Sequence, residues 1–388
     1  LKAFQMLITK QCMIICKKHF NQWGLIMKFK MSCSPILILI AFISLLIQFG
    51  CDITCDETEF KKSSEKKKYA WVVGPADSTN YGVILFTPDG GDTWQRKGVG
   101  SSALLNVDLN DVWAIDTNVI WVVGSNNSVI KTSDGGNTWL RLNDFSKSIN
   151  KLLFSIAIVG YTNIWISGEE ATVYNSTNGG LSWNTFNPEN FDSAALQGIY
   201  PVSSEIIYSV GGIQNGRGYI TRTTDGGSTW NELIPTDDYN KHRWIGVKSC
   251  GLNHIVIFGG ASHYMYSSDG GATWRNDSIP GTGGGGTGGA DINCLTMLDE
   301  NTWWTALDYD GITFTTDAGA SWTKQTAPPP ACMWLFGIDY YDRNNAIIVG
   351  RSSMSFFGKI IITSDGGNTW DLKYTIKSRL SKVSFVKN

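Results

Sequence analysis

One short turn is repeated seven times, and it constrains the fold more than any other feature of the chain. Each copy contains a short hydroxyl residue, an Asp or Asn, a glycine-rich bend and, five positions after the Asp or Asn, a Trp. Successive copies are 45, 44, 47, 44, 48 and 48 residues apart, which is the length of a four-stranded propeller blade. The copies span residues 87–94, 132–139, 176–183, 223–230, 267–274, 315–322 and 363–370.

Each residue type in this turn has a structural explanation. The Asp accepts hydrogen bonds from backbone N–H groups, the glycines permit positive φ, and the Trp begins the next strand with a large apolar surface. Asn178 can accept the same bonds, whereas Ala318 in place of the first Gly predicts a slightly different turn. We expect a structural role for these residues, with calcium or ligand binding by the carboxylates as the alternative. They are Asp89, Trp94, Asp134, Trp139, Asn178, Trp183, Asp225, Trp230, Asp269, Trp274, Asp317, Trp322, Asp365 and Trp370.

Two apolar runs precede each turn, as in residues 154–158 and 165–168. Each repeat therefore predicts an inner strand, an aromatic–glycine strand, a strand leading into the turn and an outer strand. The first repeat has no inner strand before Tyr69, while residues 380–385 form a surplus one. The prediction is an all-β, seven-bladed propeller of four-stranded blades over residues 69–388, closed by the C-terminal strand joining blade 1.

Composition agrees with many short strands and tight turns. The chain has 42 Gly and 16 Trp, and 17% of its residues are charged. Glycine at this level disfavours a helical bundle, and the low charge excludes a disordered chain. Residues 1–68 carry 11 Lys and Arg against 5 Asp and Glu, whereas residues 69–388 carry 21 against 29. We expect no nucleic-acid partner, because the net charge of −8 on the repeat region opposes a phosphate backbone.

The region before the repeats has the pattern of an export signal. The apolar run 36–47 follows basic residues and is too short to span a membrane, which takes about 20 residues. Met27 and Met31 are both candidate start positions. We therefore assign residues 1–26 as candidate untranslated upstream sequence and residues 27–50 as a signal peptide.

The end of this signal resembles a bacterial lipobox. Gly50 precedes Cys51, although Gln48 stands where Leu is usual, and residues 51–68 form a charged tether. We expect lipid attachment at Cys51 and a location in the bacterial cell envelope, facing the periplasm or the outside. An ordinary secretory signal, with Cys51 unmodified, is the alternative.

The repeated turns resemble the Asp-box, or BNR repeat, of propellers such as sialidases. Together with repeats of the form found at residues 121–139, they make residues 69–388 similar to the photosystem II stability and assembly factor family and its bacterial relatives. The resemblance implies a non-catalytic assembly chaperone. Photosynthetic members bind their client through an arginine-rich patch, but the nine arginines of this chain are scattered, so that client does not carry over.

A ligand face is expected where loops vary in length and chemistry. These loops connect the second strand of a blade to its third, and the fourth strand to the next blade. Aromatic side chains beside carboxylates and Arg can bind a sugar or a peptide. For each residue alone, core packing or solvated loop decoration is the alternative. The candidates are Glu169, Glu170, Arg217, His242, Arg243, Trp244, His263, Tyr264, Asp308, Asp310, Trp334 and Arg351. The glycine-rich segment 280–290 is interpreted as a tolerated insertion, or alternatively as a flap.

No catalytic motif is found, so no catalytic residue, metal site or cofactor is predicted. The repeats contain an odd number of cysteines, Cys250, Cys294 and Cys332, and this argues against a disulfide framework. The sequence thus predicts a monomeric, exported, lipid-anchored scaffold that binds a protein or a glycan. The alternative is a glycoside hydrolase, similar to xyloglucanases or sialidases, that acts through the variable-loop face.

Overall fold

The computed structural model describes residues 13–16, 51–54, 67–142, 150–186, 194–212, 217–233, 241–282, 289–309, 311–328 and 333–387. The chain divides into two compact units, Leu1–Lys67 and Lys68–Asn388. In the first unit, β1 (Met13–Cys16) and β2 (Cys51–Thr54) form an antiparallel pair. Most of the predicted signal peptide and tether lies outside the described residues. The described part of the chain contains no helix that could cross a membrane.

The second unit consists of seven four-stranded antiparallel sheets, which confirms the predicted propeller. The third and fourth strands of each sheet flank one Asp-box turn. Blade 1 contains β3 (Ala70–Ala76), β4 (Gly82–Thr87) and β5 (Gln95–Arg96). Blade 2 contains β6 (Leu109–Ala114), β7 (Ile120–Gly124), β8 (Ser128–Thr132) and β9 (Leu140–Leu142). Blade 3 contains β10 (Leu153–Val159), β11 (Asn163–Gly168), β12 (Val173–Ser176) and β13 (Asn184–Phe186).

The remaining blades follow the same order from the inner strand outwards. Blade 4 contains β14 (Leu196–Pro201), β15 (Ile207–Gly212), β16 (Gly218–Thr223) and β17 (Asn231–Glu232). Blade 5 contains β18 (Trp244–Cys250), β19 (His254–Gly259), β20 (His263–Ser267) and β21 (Arg275–Ser278). Blade 6 contains β22 (Ile292–Met297), β23 (Trp303–Leu307), β24 (Gly311–Thr315) and β25 (Thr323–Gln325). Blade 7 contains β26 (Met333–Tyr340), β27 (Ala346–Ser352), β28 (Gly358–Thr363) and β29 (Asp371–Ile376).

The C-terminal strand β30 (Lys382–Phe385) becomes the inner strand of blade 1, as predicted. It pairs antiparallel with β3, and Val383 lies opposite Val72. The backbone N–H of Phe385 donates a 2.8 Å hydrogen bond to the Asp339 carboxylate, which joins β30 to the inner strand of blade 7. The ring is therefore closed by the end of the chain, and blade 1 has no unpaired inner edge.

Burial falls from the second strand of each blade to the fourth. All five residues of β7 are buried, whereas all four residues of β21 are exposed. A strand covered on both faces needs apolar residues on both, which explains continuous runs such as Ile120–Gly124 rather than alternation. These second strands form the centre of the hydrophobic core.

Candidate functional site

The seven Asp-box turns share one hydrogen-bond pattern. In blade 2, the Thr132 hydroxyl donates to Asp134 Oδ1 at 2.8 Å, and Gly136 N donates back to the Thr132 oxygen at 2.9 Å. The amide and hydroxyl of Thr138 both donate to the Asp134 carboxylate, at 2.9 and 2.7 Å. In blade 3, Asn178 accepts through Oδ1 and donates through its amide nitrogen to the Ser182 hydroxyl at 2.7 Å. The acceptor capacity of each box is used inside its own turn.

The turn with Ala318 is not different, and that expectation is wrong. Asp317 makes the same bonds to Thr315 and Ser321 as its counterparts make. Ala318 adopts φ +56°, close to the +67° of Gly226 at the same position. The alanine therefore tolerates left-handed backbone at some conformational cost, and the turn keeps its geometry.

These hydrogen bonds keep the box carboxylates ionised. Donation by the hydroxyl and amide of Thr138 lowers the pKa of Asp134 to about 2. Matching donors lower the pKa of Asp225, Asp269 and Asp317 to about 2 as well. A carboxylate that is satisfied in this way gains little from a metal ion. Within the described ranges, no group of three or more His, Cys, Asp or Glu side chains could hold one.

Each box also packs on the preceding blade. Trp183 of the blade 3 box meets Trp121 of β7 edge-on, with 6.4 Å between ring centroids. A Cβ on Gly180 would lie 2.5 Å from the Trp121 ring, so only glycine fits there. The same edge-on contact joins Trp71 to Trp139 and Trp165 to Trp230. The boxes therefore connect neighbouring blades, in addition to turning the chain.

The candidate ligand residues divide into core and surface. Trp244 and Tyr264 have no exposed surface, so a ligand cannot touch them and their prediction as ligand residues is wrong. Trp244 begins an inner strand and packs in a core cluster formed by blades 4 and 5. The Tyr264 hydroxyl donates to Gly319 O of the next box at 2.7 Å. Both side chains hold blades together.

Several charged candidates lie on blades 3 and 4 and are paired locally. Glu170 forms an ion pair with Lys151 at 3.1 Å, and Glu169 accepts a bond from Leu152 N at 2.8 Å. Arg217 forms an ion pair with Glu232 at 2.6 Å. Each of these contacts stays within one blade, so the three residues fix loops near their own strands.

The candidates on blades 5 to 7 form a group around neighbouring loops. The His242 and His263 rings stack, with 3.7 Å between centroids. Arg243 donates to Gln197 Oε1 at 2.8 Å and lies 3.7 Å from Asp291. Asp310 lies outside the described residues, as does Cys332, while Cys250 and Cys294 are free thiols.

An arginine–aromatic surface lies on the loops and strand ends of blades 6 and 7. We define it as Tyr309, Trp334, Arg351, Met354 and Phe356. The Arg351 guanidinium lies 4.6 Å from the ring centroids of both Trp334 and Phe356. Tyr309 meets Trp334 edge-on at 5.9 Å. Tyr309, Met354 and Phe356 are 59%, 84% and 63% exposed, although exposed apolar side chains usually stand singly.

Sequence reasoning identified Trp334 and Arg351 but missed Met354 and Phe356. A signal for them exists, because three large apolar residues at 354, 356 and 357 occur in a loop between two strands. Phe356 adopts φ +56°, an uncommon conformation for a bulky residue, and this places its ring on the arginine. A loop that keeps apolar side chains in water at a conformational cost is typical of a contact surface.

Asp308 is the one carboxyl of this face whose pKa is raised among the described residues. Burial is the main cause, and it outweighs the 2.7 Å hydrogen bond that Asn293 donates. The charge of Asp291 adds to the rise, while Arg243 and Arg351 oppose it. Asp308 therefore borders the arginine–aromatic surface as a carboxyl that protonates more readily than usual.

Comparison with known proteins agrees with this architecture. The family model described as Photosynthesis system II assembly factor YCF48 matches two overlapping segments, residues 48–183 and 101–238. A solved structure described as YCF48 bound to D1 peptide is 19% identical, with a TM-score of 0.51, covering 68% of this chain and 80% of that one. YCF48 from Cyanidioschyzon merolae is 14% identical, with a TM-score of 0.56, covering 77% of this chain and 97% of that one.

Hydrolase propellers share the fold as well. The GH74 xyloglucanase from Xanthomonas campestris is 11% identical, with a TM-score of 0.54, covering 82% of this chain. The match covers 56% of the xyloglucanase, so this chain corresponds to little more than half of that enzyme. No curated protein sequence matches the chain significantly. Likeness at these identities shows the fold, whereas the family model links the sequence itself to assembly factors.

The family match therefore supports a binding or assembly scaffold. The repeated boxes, the closed ring and the family model agree with one another. The predicted resemblance is confirmed: the chain is a seven-bladed Asp-box propeller that resembles the photosystem II assembly factor family.

Proposed function

We propose that the chain is a non-catalytic assembly scaffold that binds a segment of a client protein on its arginine–aromatic surface. One observation carries the proposal: the Arg351 guanidinium lies against the rings of both Trp334 and Phe356, on a face where Met354 and Tyr309 are also exposed. Aromatic residues, Met and Arg are the types enriched in protein interfaces. The stacked arginine is held in place before a partner arrives, which lowers the entropy lost on binding.

The chemistry of the surface suggests the chemistry of the client segment. Arg351 forms no ion pair with any described residue, so its N–H groups are available to a carboxylate or a backbone carbonyl. The two neighbouring rings offer apolar contact area. We therefore propose an apolar segment that carries an acidic residue. The similar structure described as YCF48 bound to D1 peptide supports a peptide ligand.

The test is site-specific photocrosslinking of the full-length protein in its native cells. A photoreactive phenylalanine replaces Phe356 in one variant and Tyr161 in a matched control, since Tyr161 is 62% exposed but lies in the loop between β10 and β11. We expect position 356 to crosslink one dominant protein, and Arg351→Gln to abolish that crosslink. Equal crosslinking from position 161, or no effect of Arg351→Gln, would overturn the proposal. Enrichment of a polysaccharide instead would favour a glycan ligand.

Export and anchoring belong to the same proposal. We propose that residues 27–50 direct export, that Cys51 carries the lipid, and that the protein is a monomer in the bacterial cell envelope. The run 36–47 and the Gly50–Cys51 pair support this. Metabolic labelling with a fatty acid should mark the parent and not Cys51→Ser, and light scattering of the purified protein should give the monomer mass. Label that persists in Cys51→Ser would refute the anchor.

A glycoside hydrolase acting through the variable face is the second candidate function. The raised pKa of Asp308, next to Asp291, is the observation in its favour, because a general acid must hold its proton near neutral pH. The fold shared with a xyloglucanase is consistent with it. Release of sugars from xyloglucan by the parent, abolished in Asp308→Asn, would establish this function. If the parent releases no sugar but still crosslinks a protein from position 356, the assembly-scaffold function remains and the hydrolase is excluded.

A further inference from the structure

The inner strands of the propeller surround a central channel, separate from the arginine–aromatic surface. Its cavity has a volume of about 510 Å³, which lies within the usual range for small-molecule sites. The aromatic side chains of Trp113, Tyr200 and Tyr340 form part of the wall. The charged side chains that line it are Asp111, Lys248, Asp339, Lys382 and Lys387.

The two carboxylates of the channel already have partners. Asp339 accepts bonds from Tyr340 N and Phe385 N, at 2.9 and 2.8 Å, and forms an ion pair with Lys387 at 3.0 Å. Asp111 accepts from the Ser155 hydroxyl and Ile156 N, at 3.1 and 3.0 Å. Both therefore join neighbouring inner strands, and the charge of Asp339 is neutralised by Lys387.

Two lysines remain without a carboxylate partner. Neither Lys248 nor Lys382 forms an ion pair with any residue that the structure describes. The Lys248 ammonium lies 5.2 Å from the centroid of the Tyr200 ring, and Lys382 contacts the Cys294 thiol. Burial lowers the pKa of Lys248, and the charge of Lys382 adds to this effect, while Cys294, Asp111 and Asp339 oppose it. Burial also disfavours the charged form of Lys382, but Cys294 and Asp111 outweigh the effect of burial and raise the pKa of Lys382.

We propose that the central channel is a binding site for an organic carboxylate, held by Lys248 and Lys382. An enclosed ammonium is costly unless an anion pairs with it, and the channel offers two such groups. Because Lys387 neutralises Asp339, the remaining charges of the channel are those of Lys248, Lys382 and Asp111, which sum to one net positive charge. One carboxylate balances this charge, whereas the two negative charges of a phosphate exceed it. The aromatic wall would contact the carbon skeleton of the ligand.

The carboxylate that binds in the channel can belong to a free organic acid or to the C-terminus of a peptide chain. The test measures binding to the full-length protein by isothermal titration calorimetry at constant ionic strength. The probes are butyrate, its neutral analogue butyramide, and Gly-Gly-Phe with either a free or an amidated C-terminus. We expect butyrate or the free tripeptide to bind and both amides to fail. The stronger of the two carboxylates identifies the source.

Lys248→Met and Lys382→Met should each weaken carboxylate binding about tenfold or more, because a charge-assisted bond is lost. Lys359→Met is the matched control, since Lys359 lies on β28, away from the channel lining, and binds Thr375. Circular dichroism melting checks that each variant is folded, and Lys248→Gln provides a second, polar replacement. Binding of the amides as tightly as the acids, or unchanged affinity in both channel variants, would overturn the proposal. So would failure of both carboxylates to bind.

Discussion

The Arg351 guanidinium lies 4.6 Å from the Trp334 ring centroid and 4.6 Å from the Phe356 ring centroid. The two rings come from different elements of blade 7, since Trp334 belongs to β26 and Phe356 to the loop after β27. Such stacking orients the planar cation and leaves its edge N–H groups available. The relationship explains why a single arginine can act where a cluster is absent.

The first prediction concerns this arrangement. Arg351→Lys should weaken client binding about as much as Arg351→Gln, because lysine lacks the planar, bidentate geometry. Crosslinking yield from position 356 measures the effect. Arg141→Lys, on the outer strand of blade 2, is the matched control and should leave the yield unchanged. Full binding by Arg351→Lys would show that charge alone suffices.

The second prediction separates steric fit from backbone strain in the Asp-box. Gly180 and Gly160 both have positive φ, but a Cβ on Gly180 would meet Trp121 at 2.5 Å, whereas nothing lies within 4 Å of one on Gly160. Gly160→Ala should lower the free energy of unfolding by about 1 kcal/mol from backbone strain. Gly180→Ala should cost about 1–3 kcal/mol more, because the ring must shift. Denaturant unfolding measures both, and equal losses would contradict the role of the box in joining blades.

The third prediction concerns acid stability. The pKa of Asp134 is about 2 in the folded protein and about 4 when unfolded, so its contribution is present above about pH 4 and is lost as the pH falls towards 2. Asp134→Asn should therefore flatten the dependence of melting temperature on pH across this window. Asn178→Asp should steepen it, because blade 3 would gain a titrating box. Parallel profiles for the parent and both variants would exclude this linkage.

The fourth prediction concerns ring closure. Removing residues 380–388 deletes the buried side chains of Leu380, Phe385 and Val386 and leaves β3 without its inner partner. Each such side chain contributes about 1.5–3 kcal/mol, so the loss should exceed about 5 kcal/mol and expose a sheet edge. Melting temperature and light scattering should report unfolding and association. Removing residue 388 alone is the control, and a normally folded, monomeric truncation would contradict closure.

The number, order and closure of the blades could be predicted because the sequence repeats them. Each Asp-box marks one turn, and the surplus run at 380–385 matches the missing inner strand. The alignment within β23 could not be predicted in the same way. Trp304, rather than Trp303, pairs with Phe314 as Trp71 pairs with Phe86, so Trp304 is the counterpart of Trp71. A two-tryptophan run does not say which ring faces the next box.

Site residues could be predicted only in part, because burial depends on strand register and on the neighbouring blade. Trp244 pairs with Gly259, but the residue that pairs with the equivalent Gly350 is Leu335, so Trp334 lies one residue earlier in its strand. Trp244 is fully buried, while Trp334 contacts exposed Tyr309. The channel lysines were missed for the same reason. Lys248 and Lys382 occupy ordinary alternating positions of a strand, and only the closed ring brings them into one cavity.

Ring closure by the last strand also sets an order of events during synthesis. Among the propeller strands, a ribosome makes β3 to β5 first and β30 last, so blade 1 is the first blade begun and the last one completed. Six blades can fold while the chain lengthens, but the ring stays open until β30 has left the ribosome. A premature stop near the end would therefore yield a chain with nearly every blade and no finished fold, which degradation machinery can recognise by its open edge.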